Sequence, residues 1–563
     1  MARPHIEAQD PNRRRPLNSS ITRLATLAIA WGLAFPAALA QTDPVVDPPA
    51  GKIRGELVGE LRVFKGVPYA LPPTGARRWR PPEAMPAWPG TREAKTFGAA
   101  CVQPKPRAPN IYTSELASVS EDCLTLNIWA PAEARNAPVF VWIHGGALTT
   151  GSSREPLYDG AKLAARGIVV VTINYRLGVL GYFAHPALSA ESPRRVSGNY
   201  GLLDQIEALR WVKRNVAAFG GDPSNVTIAG ESAGALSVMY LMASPLAEEL
   251  FTKAIAQSAY MISMPELKHG RFGEQAAEGI GSRLADALGT QDIARLRSLD
   301  AGKLVEDAAR TGYFPLGTVD GHVLPRQLVE VFDRGEQARV PIIAGFNSGE
   351  IRSLRFLAPP APKDAATYEA AIRERYRDLA DEFLELYPSA TLEESILAST
   401  RDALYGWTSE RLVAKQTALG QPSYLYLFDH AYPAATAAGL HAFHAAELPY
   451  VFGTADRTPA LWPKMAATSA ESSLSDAMVS YWAEFARSGR PSAAGQAQWP
   501  AYGSTRAYVV FADTPKSATH LLPGMYELSE RVVCRRRVKG GLPWNWNVGL
   551  VSPPTPPQTE QCQ

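Results

Sequence analysis

The sequence predicts an α/β fold built on a mostly parallel sheet, and three features carry that prediction. Short, wholly apolar runs recur along the chain, as strands buried on both faces require. Helical patterns alternate with them, the signature of a sheet wrapped on both sides. One such run, Val226-Thr227-Ile228-Ala229, breaks at Gly230, presents Ser232 and passes at once into helix-forming residues 235–241.

The first forty residues stand apart from this pattern. Arg13, Arg14 and Arg15 precede an apolar run over 24–35, which ends in Ala38-Leu39-Ala40 before Gln41. Charged, apolar and A-x-A parts in that order are those of a secretory signal, with cleavage expected after Ala40. The run carries Pro36 soon after it and is short of the ~20 residues a membrane span needs. The mature chain is therefore expected to be secreted or periplasmic and to lack a membrane span. The arginine cluster leaves both the Sec and the twin-arginine routes open.

Composition narrows the rest. Hydrophobic residues make up 46% of the 563 and charged residues 20%, with a formal net charge of +2. A chain of this kind builds a core and has no overall bias toward nucleic acid. Export permits disulfides. The four cysteines, Cys101, Cys123, Cys534 and Cys562, allow three pairings and have neither zinc nor redox spacing.

Taken in order, residues 51–100 read as short strands and proline-rich turns. Residues 124–129 alternate as a half-buried strand, and 138–143 (Pro-Val-Phe-Val-Trp-Ile) are continuous and apolar before His144-Gly145-Gly146-Ala147. A further buried strand is expected over 167–174 and a long helix over 202–216, ahead of the strand that ends at Gly230. Residues 240–310 and 364–418 read as helical, and these insertions are expected to cap the carboxyl ends of the sheet. Strands are expected at 340–345, 423–429 and, last, 508–511. The tail from 551 to 563 is rich in proline and reads as loose. Residues 41–550 thus form one domain with large insertions and no linker.

The chemistry gathers at the strand ends. The Gly230-Glu231-Ser232-Ala233-Gly234 turn has the strand–turn–helix context of a nucleophile elbow, whose tightness requires small flanking residues. A serine hydroxyl needs a base within hydrogen-bond reach and a third group to orient that base. Sheet hydrolases supply them in the chain order serine, acid, histidine. Glu350 follows one expected strand, and His430, His441 and His444 follow the next. Periodicity does not choose among the three histidines. The His144-Gly145-Gly146-Ala147 loop fits the turn that offers backbone amides to a developing oxyanion, where one donor is worth ~100–1000-fold in rate.

At this point the chain resembles the type B carboxylesterases, α/β-hydrolases that include cholinesterases and bacterial p-nitrobenzyl esterases. The likeness runs through Phe64-Lys65-Gly66-Val67-Pro68-Tyr69-Ala70, Ser120-Glu121-Asp122-Cys123-Leu124 and Gly198-Asn199-Tyr200-Gly201-Leu202-Leu203-Asp204-Gln205. It continues through Phe219-Gly220-Gly221-Asp222-Pro223, the elbow, Gly345-Phe346-Asn347-Ser348-Gly349-Glu350 and His444-Ala445-Ala446-Glu447-Leu448-Pro449-Tyr450. The resemblance implies Ser232 as nucleophile, Glu350 as acid and His444 as base. It also implies the amides of Gly146, Ala147 and Ala233 as oxyanion donors and a Cys101–Cys123 bridge. Ala147 stands where the family has a third glycine, and residues 101–123 lack the tryptophan with which cholinesterases hold choline.

The expected activity is hydrolysis of a small-molecule carboxylic ester, with no metal or cofactor. One rival is a catalytically silent binding module on the same fold, and another is an amidase or lactonase on the same triad. Arg352 and Arg355 follow the acid. If either faced the pocket it would favour esters bearing free carboxylates, such as polycarboxylate mycotoxin esters; otherwise both are solvated helix arginines.

Overall fold

Eleven strands hydrogen-bond into one sheet. In chain order they are β1 (Glu56–Val58), β2 (Leu61–Pro68), β3 (Thr125–Pro131), β4 (Ala137–Ile143), β5 (Val169–Ile173), β6 (Gly221–Glu231), β7 (Lys253–Gln257), β8 (Ile342–Asn347), β9 (Ser423–Phe428), β10 (Ala507–Phe511) and β11 (Pro515–Thr519). Their order across the sheet is β1-β2-β3-β5-β4-β6-β7-β8-β9-β10-β11. From β5 across to β10 every neighbouring pair is parallel, and antiparallel strands close both edges. The computed structural model describes residues 43–545 and 548–562, so the segment read as an export signal lies outside the described residues.

The continuous apolar runs are explained by burial on both faces. Along β4, Val139, Val141 and Ile143 enter one core while Phe140 and Trp142 enter the other. In β5, Val169, Val171 and Ile173 likewise face away from Val170. Side chains alternate with period two, so a strand covered on both sides has no polar face to show.

Helices complete the two layers: α1 (Tyr200–Asn215), α2 (Ala233–Ala243), α3 (Ala277–Ala287), α4 (Glu350–Ser353), α5 (Leu392–Arg401), α6 (Trp407–Ala418), α7 (Ser469–Ser488) and α8 (Met525–Lys539). Helix α2 is apolar apart from Ser237 and Tyr240, which are both hydrogen-bonded, and every residue of it is buried, as in a helix inside a large core. It shares one core with α1 and α6, and α7 covers the opposite face.

Three details differ from the sequence reading. Residues 253–257, inside a stretch read as helical, form β7, which pairs with β6 and β8 in the middle of the sheet. The Lys-Ala-Ile-Ala-Gln run has little strand propensity, and its surroundings override that. After the strand expected to be last come another, β11, and helix α8. The tail expected to be loose is docked. Ser552 and Thr555 are buried, the Thr555 N–H donates to the Arg375 carbonyl at 2.7 Å, and Cys562 is joined to Cys534. Among the described residues no helix is long and apolar enough to cross a membrane.

Candidate active site

Loops leaving the carboxyl ends of β4, β6, β8 and β9 converge at the edge where open α/β sheets carry their sites. Ser232 occupies the turn between β6 and α2 with φ 56° and ψ −120°. A non-glycine residue held there stores strain of about 1–3 kcal/mol, which persists only where the surroundings impose it. The surroundings do. A Cβ on Gly230 would lie 2.4 Å from the Gly234 carbonyl carbon, and one on Gly234 would lie 2.0 Å from the Ile143 oxygen. The Ser232 N–H donates to the Gln257 carbonyl at 2.9 Å, which ties the turn to the end of β7.

Glu350 is fully buried at the start of α4. Its Oε2 lies 2.5 Å from His444 Nδ1, and its Oε1 accepts from Ser258 Oγ at 2.6 Å and from the Asn347 N–H at 2.8 Å. These contacts fix the carboxylate and, through it, the imidazole. With Nδ1–H donating to Glu350, Nε2 is left on the side of the elbow. The other histidines are elsewhere: His430 sits between Asp513 and Glu471, and the His441 ring has no hydrogen-bond partner among the described residues.

The third expected member, Ser232, is bonded to neither Glu350 nor His444. Among the described residues Ser232 Oγ makes no hydrogen bond, and it does not cap α2. His444 Nε2 instead lies 3.0 Å from Oε1 of Glu231, the residue before the serine. That approach lacks hydrogen-bond alignment, because Glu231 Oε1 remains without an aligned donor. Catalytic hydrogen bonds often reach full alignment only in the complex with substrate.

Three carboxyl groups crowd the imidazole. Burial pushes Glu231 up to about 8, the nearby Glu447 and Glu350 push the same way, and His444 opposes them. Burial also raises Glu447, whose oxygens are held by Gln257 Nε2 at 2.9 Å and Asn347 Nδ2 at 2.6 Å. For His444 burial works downward, but the charges of Glu231 and Glu350 and the Glu350 hydrogen bond outweigh it and raise the group.

The loop after β4 touches the serine. A Cβ on Gly145 would stand 3.3 Å from Ser232 Cβ and 2.9 Å from the Glu231 carbonyl oxygen. Gly146, Ala147 and Leu148 all have positive φ (103°, 55° and 57°), and the Thr149 and Thr150 N–H groups both donate to the Gly146 carbonyl at 2.9 Å. Among the described residues the N–H groups of Gly146 and Ala147 donate to no protein acceptor. Ala233 is the first residue of α2, so its N–H is among those a helix leaves unpaired. Burial drives His144 down to about 4, and the neutral ring bonds the Gly145 carbonyl through Nδ1 at 2.8 Å, bracing the turn.

Glu231, Ser258 and Glu447 were not singled out from sequence. Two of them lay within quoted motifs, in the elbow and three residues after His444. Ser258 had no such signal. Arg352 pairs with Glu394 at 2.6 Å and Arg355 with Glu393 at 2.5 Å. Arg352, Ile111, Tyr112, Leu354, Phe356 and Leu461 line a cleft of about 480 Å³, and Phe356 is 81% exposed there. Cys101 and Cys123 form the implied disulfide, and Cys534 pairs with Cys562.

The carboxylesterase family model matches residues 42–526. The para-nitrobenzyl esterase of Bacillus subtilis (strain 168) is 37% identical over 477 residues, covering 82% of this chain and 93% of that protein. The fumonisin B1 esterase of Sphingopyxis macrogoltabida is 36% identical over 510 residues, covering 86% and 90%. A solved PNB esterase structure superposes with a TM-score of 0.75 at 33% identity, covering 86% of this chain and 99% of that one.

Proposed function

The chain belongs to the carboxylesterase family, and from that premise we propose that it hydrolyses carboxylic esters through an acyl-enzyme formed on Ser232. It is a carboxylic ester hydrolase with the α/β-hydrolase fold. In our reading Ser232 Oγ attacks the ester carbonyl while His444 Nε2 takes its proton. The amides of Gly146, Ala147 and Ala233 receive the oxyanion. The tetrahedral intermediate collapses, the C–O bond to the alcohol breaks, and the imidazolium returns its proton to the departing alkoxide. Water, deprotonated by the same nitrogen, then attacks the acyl-enzyme and releases the acid. Glu350 stabilises the imidazolium throughout.

The 2.5 Å contact between Glu350 and His444 Nδ1 carries this reading, because it leaves one ring nitrogen free beside the elbow. Ser232→Ala should lower kcat on the order of a millionfold with the fold intact. Turnover near wild type in that variant would overturn the assignment, whereas a wild-type chain without turnover would revive the reading as a binding module.

A finer reading concerns the substrate. One relative is a fumonisin B1 esterase, and Arg352 lines the cleft beside Tyr112, which together favour esters that carry free carboxylates. Such a substrate would have to displace Glu394 from Arg352. Higher kcat/KM for a carboxylated ester than for its neutral counterpart, lost in Arg352→Ala, supports this; equal values in wild type refute it. Export with cleavage after Ala40 belongs to the same proposal, and N-terminal sequencing of the mature protein tests it.

A further inference from the structure

Oxyanion amides and histidine lie on separate stretches of chain, and one segment touches both. It is the loop closed by the Cys101–Cys123 disulfide, whose half-cystines are 22 residues apart and buried. Near its start, Gln103 grips Gly151, where the oxyanion turn rejoins the fold. Gln103 Nε2 donates to the Gly151 carbonyl at 2.9 Å, and the Gly151 N–H donates back to Gln103 Oε1 at 2.9 Å. Nε2 also donates to the Cys101 carbonyl at 3.0 Å, which ties that grip to the disulfide. Gly151 in turn lies against the turn itself: a Cβ there would stand 2.5 Å from His144 Nδ1 and 2.7 Å from the Gly145 carbonyl.

Further along the same loop, Tyr112 reaches the histidine. Its hydroxyl is 2.7 Å from Ser353 Oγ and 3.0 Å from the His444 carbonyl. Ser353 Oγ also accepts the His444 N–H at 3.3 Å, so both backbone groups of residue 444 are held by this hydroxyl pair. The Tyr112 ring stands edge-on to the His444 ring with centroids 6.3 Å apart, and edge-on to Trp462 at 6.0 Å. A third tie runs from Ser114 Oγ to Glu155 at 3.1 Å, and Glu155 also accepts the Ser152 N–H beside Gly151.

Resting on the proposed roles of Ser232, His444 and the oxyanion amides, we infer that this disulfide-closed loop is the strap that sets the distance between the oxyanion turn and the histidine, with Gln103 and Tyr112 as positioning residues for the two. Neither touches the reacting atoms. Some three hundred residues of chain separate Gly151 from His444, so without the strap their spacing depends on the packing of many elements. Catalytic groups need placement within ~0.5 Å, and a 1 Å error costs about 100-fold. The disulfide shortens the free length of the strap and so limits how far either grip can drift.

The test uses the full-length mature enzyme and a neutral p-nitrophenyl ester. Gln103→Ala and Tyr112→Phe should each lower kcat about 10- to 100-fold, with KM changed less than about threefold and an unchanged melting transition. The two grips separate in the pH profile. Tyr112→Phe moves the acid limb of kcat/KM, because it frees the histidine, and Gln103→Ala lowers the profile without moving it. Cys101→Ser/Cys123→Ser should reproduce the loss of the double variant Gln103→Ala/Tyr112→Phe, and combining all four changes should cost less than about twofold more, since coupled residues do not add. Wild-type kcat in both single variants overturns the strap while a dead Ser232→Ala keeps the serine reading. A kcat loss that merely tracks a lowered melting temperature overturns it as well, and an active Ser232→Ala overturns the reading beneath it.

Discussion

Replacing Gly234 by alanine probes the elbow without touching a reactive atom. The added Cβ would stand 2.0 Å from the Ile143 carbonyl oxygen, with the Ile143 and His144 carbonyl carbons at 3.0 and 3.1 Å. An ordinary carbon–oxygen contact is about 3.3 Å, so helix α2 or the end of β4 must retreat by roughly 1.3 Å. Neither gives easily, since Ile143 and every residue of α2 are buried. Overpacking of this kind costs about 1–3 kcal/mol. The larger effect is on chemistry, because β4 leads directly into the oxyanion turn and a 1 Å misplacement costs about 100-fold. We expect Gly234→Ala to lose about 100-fold or more in kcat on a p-nitrophenyl ester and several degrees of melting temperature. Gly279→Ala in α3 is the control. Its Cβ meets only Arg283 Nη1 at 3.9 Å, and removing a helix glycine should stabilise by about 0.5–1 kcal/mol with kcat unchanged. Wild-type kcat and melting temperature in Gly234→Ala would refute the steric reasoning.

Other expectations follow from the same contacts. Glu350→Gln keeps the shape but loses the charge that orients the imidazole, and kcat should fall about 10⁴-fold by analogy with acid-to-amide changes in other triads. Glu231→Gln removes a group whose negative form holds His444 protonated. Since the histidine must be neutral to accept a proton, the acid limb of kcat/KM should move to lower pH, as read from a pH–rate profile. Cys562→Ser opens the 28-residue separation closed by the second disulfide and should cost roughly 3–4 kcal/mol of stability in denaturant titration, with kcat unchanged. Gly281→Ala, two positions from the control, would place a Cβ 1.7 Å from the Ala184 carbonyl and should destabilise where its neighbour stabilises.

The parts legible in the sequence were those whose chemistry leaves no choice of residue. The elbow needs glycine at 230 and 234 because each would collide with backbone, and β4 must be apolar throughout because it is covered on both faces. The mostly parallel sheet followed from runs of that kind. Strand β7 escaped because its residues have helical propensity and only its slot between β6 and β8 makes it a strand. The docked tail escaped because proline content says nothing of a partner surface, here α8 and its arginines. The choice of histidine was open to spacing and was narrowed by resemblance; in space His444 meets Glu350 while His430 is taken up by Asp513 and Glu471. Gln103 and Tyr112 left no trace in the sequence, since side chains that grip a distant backbone need no fixed spacing.

The central claim is that Ser232 alone becomes acylated and that His444 makes it reactive. A fluorophosphonate trapped on the enzyme and located by peptide mass spectrometry tests this most directly. The account predicts one adduct per chain on the peptide bearing Ser232, and none at matched time in His444→Ala. Stoichiometric labelling at another residue, or unimpaired labelling without the histidine, would contradict it.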